Sequence, residues 1–212
     1  MSNVLKGDYL AADEGKFFTS DQGIVASTAV QKNTIALGKT SPELVIFNGQ
    51  PAGGKNLYMR YAKFTTTTAI TTITSVQYVG VLNSGASGDI HTTVGTLMST
   101  PTNNNGDLDN PSLTKLYGGV NVMATPGAAS RTVHVGEVDN SIPIVLDTWN
   151  LVYGETSVPD VKIGTMSLVK HITTPVSPVI IAPQQYYSLG FWGAAWQAAA
   201  ASYRINVGWL EL

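Results

Sequence analysis

The stretch Phe64-Thr65-Thr66-Thr67-Thr68-Ala69-Ile70-Thr71-Thr72-Ile73-Thr74-Ser75-Val76-Gln77-Tyr78-Val79 consists almost entirely of Thr, Ile, Val and aromatic residues. β-Branched side chains lose χ1 freedom in a helix and pack well on a pleated surface, so this run reads as strand, a turn inside the Thr tract, and a second strand. Just upstream, Leu57, Met59 and Tyr61 alternate with Tyr58 and Arg60, the period of two expected of a half-buried strand. Before them come a short apolar run at Glu43 to Phe47, the Gly-rich loop Asn48 to Gly54, and a Val-, Thr-, Ile- and Ala-rich segment from Ile24 to Leu37 that turns at Gly38 to Pro42. Downstream, extended segments are expected at Ile90 to Met98, Lys115 to Met123, Arg131 to Val138, Ile142 to Tyr153, Val161 to Met166 and Val179 to Ala182. The last two strands carry the clearest pattern. Tyr187 to Trp192 is apolar and aromatic, and Tyr203, Ile205, Val207 and Trp209 share one face while Arg204, Asn206 and Gly208 share the other. Only Gly193 to Ser202, rich in Ala, suits a helix, and at that length an isolated helix is marginal in water.

Many short strands with turn signals between them predict an all-β sandwich. A chain of 212 residues without a fixed internal period suits a jelly-roll-like antiparallel β-sandwich better than an immunoglobulin-type domain of about 100 residues. Residues 1–22, polar and without periodicity, read as an extended N-terminal arm, and residues 23–212 as a single domain. Two tandem sandwiches split in the polar loop Pro101 to Pro111 are the alternative. Arms order against a partner or against the body, and the strong apolar feature of this one is Gly15-Lys16-Phe17-Phe18, which makes Lys16, Phe17 and Phe18 candidate partner contacts.

The chain is unusually poor in charge: 12% of its residues are charged, against about 25% in an average soluble domain. A folded monomer of 22.4 kDa exposes roughly 9,400 Å², so Thr, Ser, Asn, Gln and Gly must form most of the surface. Such a surface implies either low colloidal stability or cover by neighbours in an assembly. With a net charge of -2 and scattered Lys and Arg, no basic stripe exists to bind nucleic acid. The absence of Cys excludes disulfide scaffolds, thiolate zinc sites and thiol nucleophiles. Met1 to Leu10 lacks the apolar core of a signal peptide, and no apolar run approaches the ~20 residues of a membrane span.

Motifs for chemistry are missing. His91, His134 and His171 stand far apart in extended sequence, without the close pair that a jelly-roll metal site needs. There is no nucleophile elbow, phosphate loop or His-Glu-x-x-His. Most carboxylates fall in the arm (Asp8, Asp13, Glu14, Asp21) or in turns (Asp89, Asp107, Asp109, Asp139, Asp160), leaving Glu137, Asp147 and Glu155 as strand-near candidates for an acid pair of the kind glycosidases use. Asn103 to Asp109 fails the calcium-loop pattern and reads as a solvated loop, with weak calcium binding as the lesser alternative. No enzyme activity, metal or cofactor is expected. Trp192, Trp196 and Trp209 crowd the C-terminal hairpin with Tyr186, Tyr187 and Tyr203. Trp209 alternates in phase with Ile205 and Val207 and belongs to the core, whereas Trp196, beside Ala in the hairpin connection, is the candidate for exposure or partner contact.

The run Lys16-Phe17-Phe18-Thr19-Ser20-Asp21-Gln22-Gly23, the later Leu44-Val45-Ile46-Phe47-Asn48-Gly49-Gln50-Pro51-Ala52-Gly53-Gly54-Lys55-Asn56-Leu57-Tyr58, and the closing Ile181-Ala182-Pro183-Gln184-Gln185-Tyr186-Tyr187-Ser188-Leu189 with Tyr203 to Trp209 resemble jelly-roll structural proteins of tailed bacteriophages. In those, an arm precedes a strand and a Gly-rich turn leads into the next, although Asn48-Gly49-Gln50-Pro51 departs from their usual turn. The resemblance implies a virion component without catalytic residues. Together with the charge deficit it leads to the expectation of a capsid decoration or cement protein, made in the host cytoplasm and resident on the capsid surface. Its expected partners are the major capsid protein and copies of itself in a homotrimer, with no nucleic acid and no membrane. The alternative expectation is a carbohydrate- or receptor-binding β-sandwich module, a tail or spike component included, that meets glycans through Trp196 and loop tyrosines.

Overall fold

A computed structural model describes residues 10–26, 34–68, 75–83, 91–93, 95–105, 110–119, 121–123, 130–155, 169–193 and 201–212. The chain is an all-β jelly roll. Its eight principal strands are β1 (Phe17–Ala26), β2 (Leu44–Phe47), β3 (Leu57–Thr68), β4 (Val76–Asn83), β10 (Ser130–Asp139), β11 (Thr148–Tyr153), β14 (Tyr186–Trp192) and β15 (Ser202–Glu211). One sheet runs β1-β15-β3-β11 and the other β2-β14-β4-β10. Numbering these strands one to eight gives the orders 1-8-3-6 and 2-7-4-5, the double Greek key of a jelly roll.

Shorter strands extend both sheets. β12 (His171–Val176) lies parallel to β11, β13 (Ile180–Ile181) pairs with β3, and β7 (Thr102–Asn103) pairs with β1. On the second sheet β8 (Lys115–Gly118) pairs with β2, and β6 (Thr96–Leu97) with β8. β5 (His91–Thr93) and β9 (Val122–Met123) form a separate ribbon.

The Thr-rich stretch divides as expected: β3 ends at Thr68 and β4 begins at Val76. On β15, Tyr203, Ile205, Val207 and Trp209 are buried and Arg204 is exposed. Aromatic rings join the two sheets. Phe64 meets Phe191 edge-on with centroids 4.8 Å apart, and Trp149 meets the same ring at 5.3 Å. Interiors packed like organic crystals penalise any loss of such volume.

Other segments differ from the expectation. Ile35–Thr40 is a short helix, α1, not strand. It lies on the outer face of the second sheet, where Ile35 packs with Val79, Val81 and Trp192. Its Gly38 sits so close to Gly190 that a Cβ there would fall 1.9 Å from the Gly38 carbonyl oxygen. Of Ile142 to Tyr153 only Thr148–Tyr153 is strand, and His171–Val176 is a strand with no clear alternation in the sequence. The expected strand Val161 to Met166 and the Ala-rich segment 194–200 lie outside the described residues.

The boundary expected at Gln22/Gly23 falls inside β1. Phe17 to Gln22 pairs with Leu210 to Ile205 of β15, so this part of the arm is built into the sheet. Before it, residues 10–13 form a helical turn. The Asn loop, read as solvated, is exposed at Asn104 and Asn105 and also clamps that turn: Asn103 and Asn110 both donate side-chain N–H to the Gly15 carbonyl, at 2.8 and 2.5 Å, and the Asn104 amide donates to the Phe17 carbonyl. Removing both amide donors in Asn103→Ala/Asn110→Ala is expected to cost roughly 1 kcal/mol per bond and to speed tryptic cleavage after Lys16. A digestion time course read by mass spectrometry checks this, and an unchanged cleavage rate would show that the clamp does not hold the turn.

Candidate functional site

The structure separates the residues singled out by sequence. Phe18 is fully buried, stacked on Trp209 with centroids 6.1 Å apart, so it is a core residue and is not available to a partner. Phe17 is half-buried in β1. Lys16 pairs with Glu14 at 2.6 Å on the surface, and its carbonyl accepts the Glu211 amide. Trp196 lies outside the described residues.

The three strand-near carboxylates share no site. Glu137 faces solvent on β10, Glu155 lies 4.0 Å from Arg60, and Asp147 is buried. Among the described residues no group of three or more acidic, His or Cys side chains is arranged to hold a metal ion, and no helix is long and apolar enough to cross a membrane. His134 is engaged within the core rather than in a ligand cluster. Its Nε2 lies 2.8 Å from the Tyr187 hydroxyl, which lies 3.0 Å from the Tyr153 hydroxyl, so this polar chain joins the two sheets. The ring fits because its neighbour across the strands is Gly80, where a Cβ would fall 2.1 Å from Nε2. Burial pushes the His134 imidazole down to about 4 and both tyrosine hydroxyls well above their usual range.

An exposed apolar loop lies at one end of the sandwich. The connections leaving β1, β3, β10 and β14 all start there, because each joins one sheet to the other at the same ends of paired strands. In the β10–β11 connection, Ile142, Ile144, Val145 and Leu146 are 52%, 37%, 49% and 57% exposed. A charge-free apolar cluster of this kind ordinarily collapses inward, yet here the backbone is pinned. The Leu146 amide donates to the Thr66 carbonyl, the Thr66 amide to the Asp147 carbonyl, and the Ile144 amide to Asp147 Oδ2. Leu146 holds φ 75°, a left-handed conformation that bulky residues rarely adopt and that surrounding structure must enforce.

An ionic cluster of two buried carboxylates and a partly exposed lysine beneath the loop supplies that enforcement. Lys170 Nζ lies 2.6 Å from Asp139 Oδ2 and 3.3 Å from Asp147 Oδ2, and it also donates to Ser141 Oγ and the Ile142 carbonyl. Ser141 donates to Asp139, and the Lys170 amide donates to Asp147. Sequence reading missed this site because Lys170 is distant in the chain from both acids. The one available signal was the run Ile142-Pro143-Ile144-Val145-Leu146, apolar but with Asp147 directly after it and Asp139 three residues before it. Neither a protein-family model nor a curated protein sequence matches the chain.

Proposed function

We propose that this protein is a non-catalytic structural subunit of a viral shell, a decoration or cement protein that binds the major capsid protein and further copies of itself through uncharged surfaces. The observation that carries the reading is the apolar loop 142–146. A protein that buries two carboxylates to hold four apolar side chains in water gains from displaying them, and contiguous exposed apolar groups mark contact sites. The charge-poor surface supports the same reading, since a subunit covered by neighbours needs few charges. A jelly roll is compatible with many functions, so the fold by itself decides nothing. Interfaces of standard size bury about 1,600 Å², and a homotrimer with shell contacts would cover more than that.

The test is light scattering of the full chain, together with co-sedimentation on shells of the virus that carries the gene. Wild-type protein is expected to form a trimer and to saturate the shell. Ile144→Asp and Leu146→Asp change exposed side chains only, and each is expected to weaken shell binding at least ~30-fold, the loss of about 2 kcal/mol that defines a contact hot spot. Unchanged occupancy in both variants would remove the loop from the interface, and a monomer that ignores the shell would overturn the reading.

A further inference from the structure

The outer face of the β1-β15-β3-β11-β12 sheet carries polar side chains in register across all five strands. Asp21 pairs with Asn206, Asn206 with Lys63, Lys63 with Asn150, and Asn150 with Thr173. With strands ~4.8 Å apart, this row is about 19 Å long. The row beside it runs Arg204, Thr65, Thr148, His171, again in register. Two adjoining hollows lie along these rows. One of about 410 Å³ is lined by Asp21, Lys63, Thr65, Arg204 and Asn206, and one of about 160 Å³ includes Asn150, His171 and Thr173, with Lys63 bordering both. On the other flank the Tyr61 ring occupies the space above Gly208, where a Cβ would fall 2.3 Å from it.

The chemistry of the face narrows its ligand. Arg204 forks onto Asp21 through two bonds of 3.2 and 3.0 Å, which matches the charge of both. Lys63 is exposed and makes no ion pair among the described residues. The face therefore presents one uncompensated positive charge in the middle of a line of amides and hydroxyls. Amides and hydroxyls both donate and accept, as sugar hydroxyls require, and a shallow trough ~19 Å long suits an extended chain rather than a compact metabolite. A single free ammonium is far too little to hold the dense charge of a nucleic acid, but set among amides and hydroxyls it gives an acidic sugar chain an advantage over a neutral one.

We propose that this face binds an extended acidic polysaccharide built of uronic acids, with Lys63 receiving a sugar carboxylate and Asn206, Asn150 and Thr173 bonding hydroxyls on either side. The site stands apart from the shell reading, because it uses a sheet face and not the apolar loop. Calorimetric titration of the full chain with tetragalacturonate tests it, against the neutral galactose tetramer and inorganic polyphosphate. Tetragalacturonate is expected to bind at least ~10-fold more tightly than either control, with the affinity falling at least ~10-fold in Lys63→Gln and in Asn150→Ala while both variants unfold at the wild-type temperature. Absence of binding at millimolar tetragalacturonate overturns the proposal. So does equal binding of the neutral tetramer, equal binding of polyphosphate, or full affinity in Lys63→Gln.

Discussion

Lys170→Met is expected to destabilise the protein by about 3–5 kcal/mol, the cost of leaving buried carboxylates without their cation. Asp139 and Asp147 are almost wholly inaccessible, and Lys170 Nζ is the ammonium that lies between them. Their remaining donors are neutral: the amides of Ser141, Ile144 and Lys170, the Ser141 hydroxyl, and the Trp149 indole at 3.4 Å. Those bonds orient the carboxylates but do not balance two negative charges in a region of low dielectric. For a domain of this size each kcal/mol lowers the melting temperature by about 2–4 °C, so urea titration and thermal melting both report the loss, roughly 10 °C in the melt. Amide exchange at Ile144 and Leu146 is expected to accelerate as well, because both amides depend on the placement of Asp147 and of the loop above it. The triple variant Asp139→Asn/Asp147→Asn/Lys170→Met keeps the shape without the charges and is expected to recover much of the stability. Lys170→Met within 1 kcal/mol of wild type, on the order of a typical point mutation, would mean that the cluster does not hold the loop.

The parts of the fold that were legible in sequence are those where one face is purely apolar. β15 shows this best: its alternation of Tyr203, Ile205, Val207 and Trp209 with polar residues maps directly onto buried and exposed positions. β1 is its neighbour and was hidden as an arm for two physical reasons. Ser20 takes an inward position, buried and bonded to the Ser99 carbonyl, and a bulge between Gln22 and Ile24 shifts the phase so that Val25 points inward. A small polar residue and a register shift erase the period of two on which the reading depends. The clamp made by the Asn-rich loop was hidden for a related reason, since composition does not reveal which amides of a solvated loop also reach a backbone carbonyl. The candidate site was least legible. Asp147 is a strand-near acid in the sequence, but its cation, Lys170, comes from the far side of the 148–170 segment, and no local pattern encodes that approach. Phe18 was noticed as an apolar residue in a polar context, and burial against Trp209 gives it a core role.

Acidification is expected to weaken the protein through His134. Its imidazole is pushed down from 6.5 to about 4 by burial, so between these values the unfolded chain takes up a proton that the folded chain refuses. Stability contributed by the neutral ring is complete above pH ~6.5, falls as the pH drops toward about 4, and is flat below that. At 1.36 kcal/mol per pH unit the loss amounts to about 3 kcal/mol. The groups that face the ring are Tyr78 and Tyr187 from its own sheet and Tyr153 from the opposite one, and phenols stay neutral throughout this range. No carboxylate bonds the imidazole among the described residues to favour its charged form. Protonation would place a cation in the seam between the sheets, beside the hydroxyl chain that joins them. His134→Phe keeps a planar ring and removes the titration, at the cost of the bond to Tyr187. Urea denaturation of both proteins at pH 7, 5.5 and 4 is therefore expected to show the wild type losing about 3 kcal/mol more than the variant. Parallel losses in the two proteins would assign the acid sensitivity to the buried carboxylates instead.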